Sequence, residues 1–276
     1  MKTIRLFQLA LLLAGAVTTI QAADPQEIRF GFSPGPYKDF VEQAVKPGLE
    51  AKGYKVSVVQ FQDYVQPNLA LANKETDVNV FQHLLYLEKF SKDRNLQLSP
   101  VVNVPTAGLG IYSNKIKSLN DLKKGDEVTL SQDPTNLARG LRFLQKAGLI
   151  KLKAEIDPTK VTERDIAENT RELRFTLLEA AQIPRSLGSA TVAVINGNFA
   201  IAAGLKLSDA LTLETLDENI KIVVAVRTED LNKPFVKDLK EVIESEAFHK
   251  VASDPKNIFA SFQVPEWYAK KWGATK

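Results

Sequence analysis

An α/β protein folded into two lobes around a cleft is the architecture this sequence predicts, and three observations carry it. Strand-like and helix-like segments alternate in a βαβαβ order over roughly the first hundred residues. A second alternating series follows it. Two turn-rich crossings separate the series, so the chain passes from one lobe to another and back. Hydrophobic residues make up 44% of the 276 residues, which supplies a core and argues against disorder.

The elements follow in order. Residues 27–32 (EIRFGF) predict a strand. Residues 39–52 predict a helix, with Phe40, Val41, Ala44, Val45 and Leu49 at helical spacing. An alternating run predicts a strand over 55–61, then a short helix over 65–73, a strand over 77–81 and a helix over 84–94. This order implies a mostly parallel sheet covered by helices. In the second series a strand is expected over 127–131, a helix over 134–147, strands over 173–178 and 190–195, and a short helix over 199–203. A strand over 220–226 and two helices, over 234–245 and 248–253, close the chain. The crossing over 99–115 contains Pro105, Gly108 and Gly110, and the return is expected over 213–221. The domain reading is a leader over 1–22, a first lobe over 23–105, a second over 106–218, and a return to the first lobe over 219–276. Ligands of such sheets sit beyond the carboxyl ends of the strands, so the cleft is the expected site.

The first residues read as a secretory leader. Lys2 and Arg5 give a basic start, an apolar run follows over 6–17, and small residues at 18–23 suit cleavage after Ala22 or Ala23. The run is too short to span a bilayer comfortably. The net charge is +3, and without Lys2 and Arg5 the balance is 34 basic to 33 acidic residues. Scattered charges of that balance are no footprint for nucleic acid. The sequence has no cysteine, so disulfides, thiol catalysis, thiolate metal sites and a lipid-modified N-terminal cysteine are excluded. The expectation is a soluble, non-lipidated, monomeric protein of a bacterial periplasm.

Several residues stand out chemically. Asp133-Pro134-Thr135-Asn136 reads as a helix start, a cap followed by proline at the first helical position. Arg139 lies three residues beyond Asn136 and projects from a similar side. An arginine fork near a helix N-terminus suits a carboxylate through paired hydrogen bonds, although a surface role fits as well. Tyr64, Phe81 and Tyr86 are either core aromatics or the wall of a pocket. His83 and His249 are the only histidines, and no metal-binding spacing accompanies them, so no metal or cofactor is expected. Gly31-Phe32-Ser33-Pro34-Gly35 matches the G-x-S-x-G of a hydrolase elbow. Pro34 removes the backbone N–H that would build half of an oxyanion hole, which favours a glycine-rich turn at the cleft edge and leaves a Ser33 hydrolase as the distant alternative.

The segments DYVQPNLAL, FQHLLYLEKF, YSNKIKSLNDL, DPTNLARGL, LQKAGLIKLK, LEAAQIPRSL and AVINGNFA, in that order from Asp63 onward, resemble the methionine-binding family of periplasmic substrate-binding proteins. The resemblance covers nearly the whole chain, from Ile28 to about Trp272. It implies the two-lobed type II binding-protein fold, delivery of an amino acid to the membrane permease of an ABC importer, and no enzymatic activity. By the resemblance, Tyr64, Phe81, His83 and Tyr86 line the side-chain pocket. Asn136 belongs to the same site, Arg139 holds the ligand carboxylate, and Asn196 adds a polar contact from the second lobe. Two departures stand out. Members of the family are commonly lipoproteins. They also usually carry an asparagine in the returning strand where this chain has Ile222. Asn219 is an odd number of residues away and would face the other side of a continued strand. Either another acceptor then takes the ligand's ammonium, or the ligand differs from methionine at that point. The second is the expectation here, with Ile222→Asn improving methionine binding. An orphan binding module without a cognate importer is a further alternative.

Overall fold

The computed structural model describes residues 26–273 apart from 155 and 158, and the leader expected over 1–22 lies outside them. Strand β1 (Glu27–Phe32) leads through a turn into α1 (Tyr37–Phe40), a π-helical turn (Val41–Val45) and α2 (Lys46–Ala51). The helix expected over 39–52 is therefore one interrupted helix. Pro47 explains the interruption. It has no N–H to donate to Gln43, and its ring crowds that carbonyl, so the preceding turn widens. The apolar face is as expected: Phe40, Val41, Ala44, Val45 and Leu49 are all buried.

Next come β2 (Lys55–Gln60), α3 (Gln66–Ala72), β3 (Val78–His83), α4 (Leu84–Arg94) and β4 (Leu98–Asn103). The chain then crosses to β5 (Gly110–Tyr112), β6 (Glu127–Ser131) and α5 (Pro134–Lys146). Beyond these lie a small hairpin of β7 (Lys151–Leu152) and β8 (Ile166–Glu168), then β9 (Arg174–Leu178) and a 3-10 segment (Ala180–Gly188). The unit ends with β10 (Val192–Ile195), α6 (Gly197–Ala202) and β11 (Thr212–Leu213). After the return, β12 (Ile222–Arg227) is followed by α7 (Pro234–Ile243), α8 (Glu246–Ser253) and α9 (Glu266–Trp272).

The strands form two five-stranded sheets, ordered β2-β1-β3-β12-β4 and β11-β5-β10-β6-β9. Both are mostly parallel, as expected, with one reversed strand in each. β1 runs parallel to β2 and β3, but β12 is antiparallel to β3 and β4. In the second sheet β6 is parallel to β9 and β10, whereas β5 is antiparallel to β10 and β11. The reversed strands, β5 and β12, are those that the chain enters directly from a crossing. A strand that arrives from the other lobe enters its sheet at the cleft end, opposite to a strand that arrives through a helix.

The first crossing is shorter than expected, and the return matches its expected range to within one residue. Residues 104–109 and 214–221 join the sheets; the first is short because both ends of the 99–115 segment are strands. Pro100 concealed β4; an edge strand tolerates it because one row of its N–H groups needs no ladder partner. The third C-terminal helix, α9, was also not expected. It is held by tertiary contacts: Trp267 donates from Nε1 to the Asn103 carbonyl at 2.8 Å, and Tyr268 is fully buried.

Each sheet has its own core. Phe30, Phe40, Leu49, Val224, Leu239 and Phe248 pack in the first. Ile111, Leu130, Leu141, Leu144 and Val192 pack in the second. The cavity between them lies at the carboxyl ends of β3 and β10, which brings loops and helix starts to one place.

Candidate functional site

One cavity of about 20 Å³ lies between the two sheets and is lined by residues of both, room for little more than a water in this closed arrangement. All seven residues singled out in the sequence, Tyr64, Phe81, His83, Tyr86, Asn136, Arg139 and Asn196, line it. So does Ile222. Asn219 is exposed, in the 3-10 turn before β12.

The aromatic wall comes from the first lobe. The Asp63 carboxylate accepts from the backbone N–H groups of Val65 and Gln66 at 2.8 Å each, which fixes the turn that carries Tyr64. The Tyr64 ring stacks on Phe81, centroids 5.9 Å apart, and meets Tyr86 edge-on at 5.8 Å. It also reaches Phe199 of α6 at 4.9 Å. These rings are core and cavity wall at once, so both readings of them hold. Burial pushes the Tyr64 and Tyr86 hydroxyls well above their ordinary range, and the charge of Asp133 adds to it. Both are neutral phenols: Tyr64 donates to Asn198 Oδ1 at 2.6 Å and Tyr86 to the Tyr64 carbonyl at 3.2 Å.

His83 is the N-cap of α4. Its Nδ1 accepts from the Tyr86 N–H at 3.1 Å, so the proton lies on Nε2, which donates to Asn136 Oδ1 at 3.3 Å. Burial, with the charge of Arg139 adding, pushes His83 down to about 3. It is a neutral donor at any physiological pH.

The second lobe brings amides and the cation. Asp133 caps α5 as expected, accepting from the Asn136 N–H at 2.9 Å. Asn196, at the end of β10, donates from Nδ2 to Asn136 Oδ1 at 2.9 Å. Arg139 differs from expectation. Its Nε donates to both Glu214 oxygens, at 3.2 and 2.9 Å, and its Nη2 donates to Oε2 at 2.6 Å. Both side chains are buried. The side-on edge of the guanidinium is therefore taken by Glu214, and the fork expected for a ligand carboxylate is reduced to the Nη end.

Sequence reasoning missed Glu214, Tyr37, Gln82, Thr106 and Asn198. Glu214 stands in the return crossing, where nothing local marks it as a partner of an arginine 75 positions earlier. Thr106 lies in the other crossing and accepts from the Ile222 N–H at 2.8 Å. Asn198, two residues after Asn196 in AVINGNFA, was within reach of the motif. It accepts from Tyr64 and donates from Nδ2 to the Pro34 carbonyl at 2.8 Å, bridging the lobes.

Ser33 is buried, and its Oγ has no hydrogen-bond partner. Neither histidine reaches it: His83 is engaged as above, and His249 Nδ1 pairs with the Tyr268 hydroxyl at 2.6 Å. A serine without a base is no nucleophile. The Gly-rich segment instead forms a turn against α6. Gly35 has φ +139°, and a Cβ there would stand 2.7 Å from Asn198 Cβ. Among the described residues no three metal-ligating side chains converge, and no helix is long and apolar enough to cross a membrane.

Two α/β lobes joined by two crossings, with a closed cavity where they meet, define the chain as a type II periplasmic-binding-protein fold. The chain belongs to the NlpA lipoprotein family, whose profile matches residues 28–267. It is 37% identical over 249 residues to the D-methionine-binding lipoprotein MetQ of Salmonella typhi, covering 88% of this chain and 90% of that protein. The MetQ of Escherichia coli K12 is 36% identical with the same coverage. A nutrient-binding protein from Burkholderia cenocepacia, solved bound to methionine, superposes with a TM-score of 0.78 at 38% identity, covering 82% of this chain and 95% of that one. A periplasmic ABC-transporter substrate-binding protein from Coxiella burnetii gives 0.79 at 38% identity, covering 86% and 99%.

Proposed function

We propose that this chain is the exported solute-binding component of an ABC importer and that it carries methionine or a close amino-acid relative in the interlobe cavity. The observation that carries the reading is the make-up of the cavity. One wall is the aromatic set Tyr64, Phe81 and Tyr86, suited to an apolar thioether or alkyl side chain. The other carries Arg139 and the amides of Asn136 and Asn196, suited to a small zwitterion. The relatives named for methionine, and the neighbour solved with it, support the same class. The aromatic groups take the side chain, the Nη end of Arg139 takes the carboxylate, and closure of the lobes excludes water. Release is to the permease of the importer. The protein acts as a monomer and catalyses no reaction. Lobe one comprises 23–105 and 219–276, lobe two 106–218, and the crossings act as the hinge.

Ile222 favours a second reading, a ligand bulkier than methionine or lacking its amine, because an isoleucine gives a desolvated charge no partner. Calorimetry with L-methionine, D-methionine, other amino acids and amine-free methionine relatives separates the two. Tight binding of an amino acid, with its mass also found in native spectra of protein purified without refolding, supports the first. Preference for an amine-free acid supports the second, and binding of none of them overturns both.

We also propose export with cleavage near Ala22 and no acyl chain. The intact mass of the exported protein is then that of the bare chain from Ala23 or Asp24, and a membrane-bound or acylated species overturns it.

A further inference from the structure

The cavity wall carries four amide or imidazole acceptors besides Asn196, and all four are occupied. Gln82 Oε1 accepts from Asn68, His83 Nδ1 from Tyr86, Asn136 Oδ1 from Asn196, and Asn198 Oδ1 from Tyr64. Of these five cavity acceptors, only Asn196 Oδ1 is buried with no partner, on a residue only 6% exposed. An orphaned acceptor in a closed cavity costs free energy until a donor meets it.

The orientation of that amide is not free. Asn196 must turn its Nδ2 toward Asn136 Oδ1, because the reverse sets oxygen against oxygen. Asn136 cannot reverse either. Its Nδ2 donates to both Asp133 oxygens at 3.1 Å each, while its Oδ1 also receives the His83 Nε2–H. The Asp133 carboxylate only accepts. It is held in place by Ser131 Oγ at 2.6 Å and the Asn136 N–H at 2.9 Å. Asp133 itself does not line the cavity. A carboxylate outside the cavity therefore dictates the polarity of two amides inside it.

We propose that Asp133 is a positioning residue that fixes Asn136 and, through it, Asn196, so that the cavity presents Asn196 Oδ1 as the acceptor for an N–H of the ligand. This rests on the amino-acid reading above and deepens it. Ile222 offers no side-chain acceptor on β12, so the ligand's ammonium bonds to the second lobe. The relay selects a small acid that bears an amine over the same acid without one.

The test compares the dissociation constants of L-methionine and 3-(methylthio)propanoate by calorimetry. Wild type favours the amine-bearing acid by at least about tenfold, the worth of one charge-assisted hydrogen bond. Asp133→Ser keeps a side-chain oxygen for the helix cap but gives the Asn136 amide no carboxylate. It should lose most of that preference while melting within a few degrees of wild type. Asn196→Ala should lose it as well. An unchanged ratio in folded Asp133→Ser overturns the proposal, as does equal affinity of wild type for the two acids. If wild type binds neither, the methionine reading fails, and the relay is judged without ligand. Side-chain amide protons of Asn196, followed by ¹⁵N NMR, exchange slowly in wild type and faster in Asp133→Ser if the relay exists. Exchange in wild type at the rate of an exposed amide overturns it, and that readout stands even where Asp133→Ser does not fold.

Discussion

The ion pair of Arg139 and Glu214 changes how the cavity's charge is to be understood. The pair is buried and side-on, so the cavity wall carries a guanidinium whose charge is already balanced. Arg139→Ala strands Glu214 and costs on the order of 3–5 kcal/mol of stability, so lost binding in that variant says little about the ligand. Glu214→Gln is the cleaner change. It keeps an acceptor for Arg139 and removes the counter-charge. Ligand-free protein should lose about 1–3 kcal/mol, and the rise in melting temperature on adding an anionic ligand should exceed that of wild type. An equal or smaller rise in differential scanning fluorimetry places the ligand carboxylate elsewhere. His83 gives a second expectation. Its folded-state value, about 3, lies below its ordinary 6.5, so between those limits the unfolded chain binds a proton that the folded protein refuses. Stability from this group is complete above about pH 6.5 and falls by roughly 1.4 kcal/mol per unit below it, down to pH 3. Urea denaturation at pH 7, 6, 5 and 4 should show a shallower acid slope for His83→Gln. Ligand affinity should stay flat between pH 6 and 8, and a bend near 6.5 would mean that His83 titrates in the folded state.

Two short elements do more than their length suggests. The turn after β1 presses Gly35 onto the backbone of Asn198, with φ +139° and no room for a Cβ. Asn198 in turn holds Tyr64 and the Pro34 carbonyl. Turn and helix start together form a contact that exists only when the lobes meet. Gly35→Ala introduces a methyl into that contact and a backbone conformation that costs roughly 1–3 kcal/mol. The closed form should become the disfavoured one, and ligand affinity should fall by about tenfold or more. Asn198→Ala removes the bridge without the clash and should raise the dissociation rate with a smaller loss of affinity. Stopped-flow release at unchanged rate in both variants would refute the closing role of this contact. The interrupted helix over 37–51 teaches a related lesson. Pro47, visible in the sequence, accounts for the π turn upstream of it, and Phe40, Val41, Ala44 and Val45 nonetheless all stay buried on the core face.

At the scale of the molecule, two five-stranded sheets with separate cores are joined by only 104–109 and 214–221. The contacts between the lobes include the polar bridge of Asn198 and apolar packing of Tyr64 on Phe199 and of Leu207 and Ile201 against the first core. A ligand that bridges Arg139 and the aromatic wall binds the closed arrangement better than the open one and shifts the population toward it. Small-angle scattering should therefore record a smaller radius of gyration with saturating ligand than without, and less of that compaction in Gly35→Ala. No compaction in wild type removes the hinge.

The sequence by itself determined the alternation of elements, the helix starts at Leu84 and Pro134, and the apolar face of the first helix. These are local: a cap and a period of 3.6. The residues gathered at the cavity, and Ile222 facing it, were expected from the resemblance to the methionine-binding family. Tertiary structure alone decided the antiparallel entry of β12 and β5, the edge strand β4 in spite of Pro100, and α9, which its contacts hold in place. It alone decided that Arg139 is paired with Glu214, and that Asp133 governs Asn196 through Asn136. The physical reason is common to all of these. Strand direction, ion pairing and amide polarity depend on partners tens of residues distant, and no local pattern encodes which partner a group will meet once the chain has crossed between the lobes and returned.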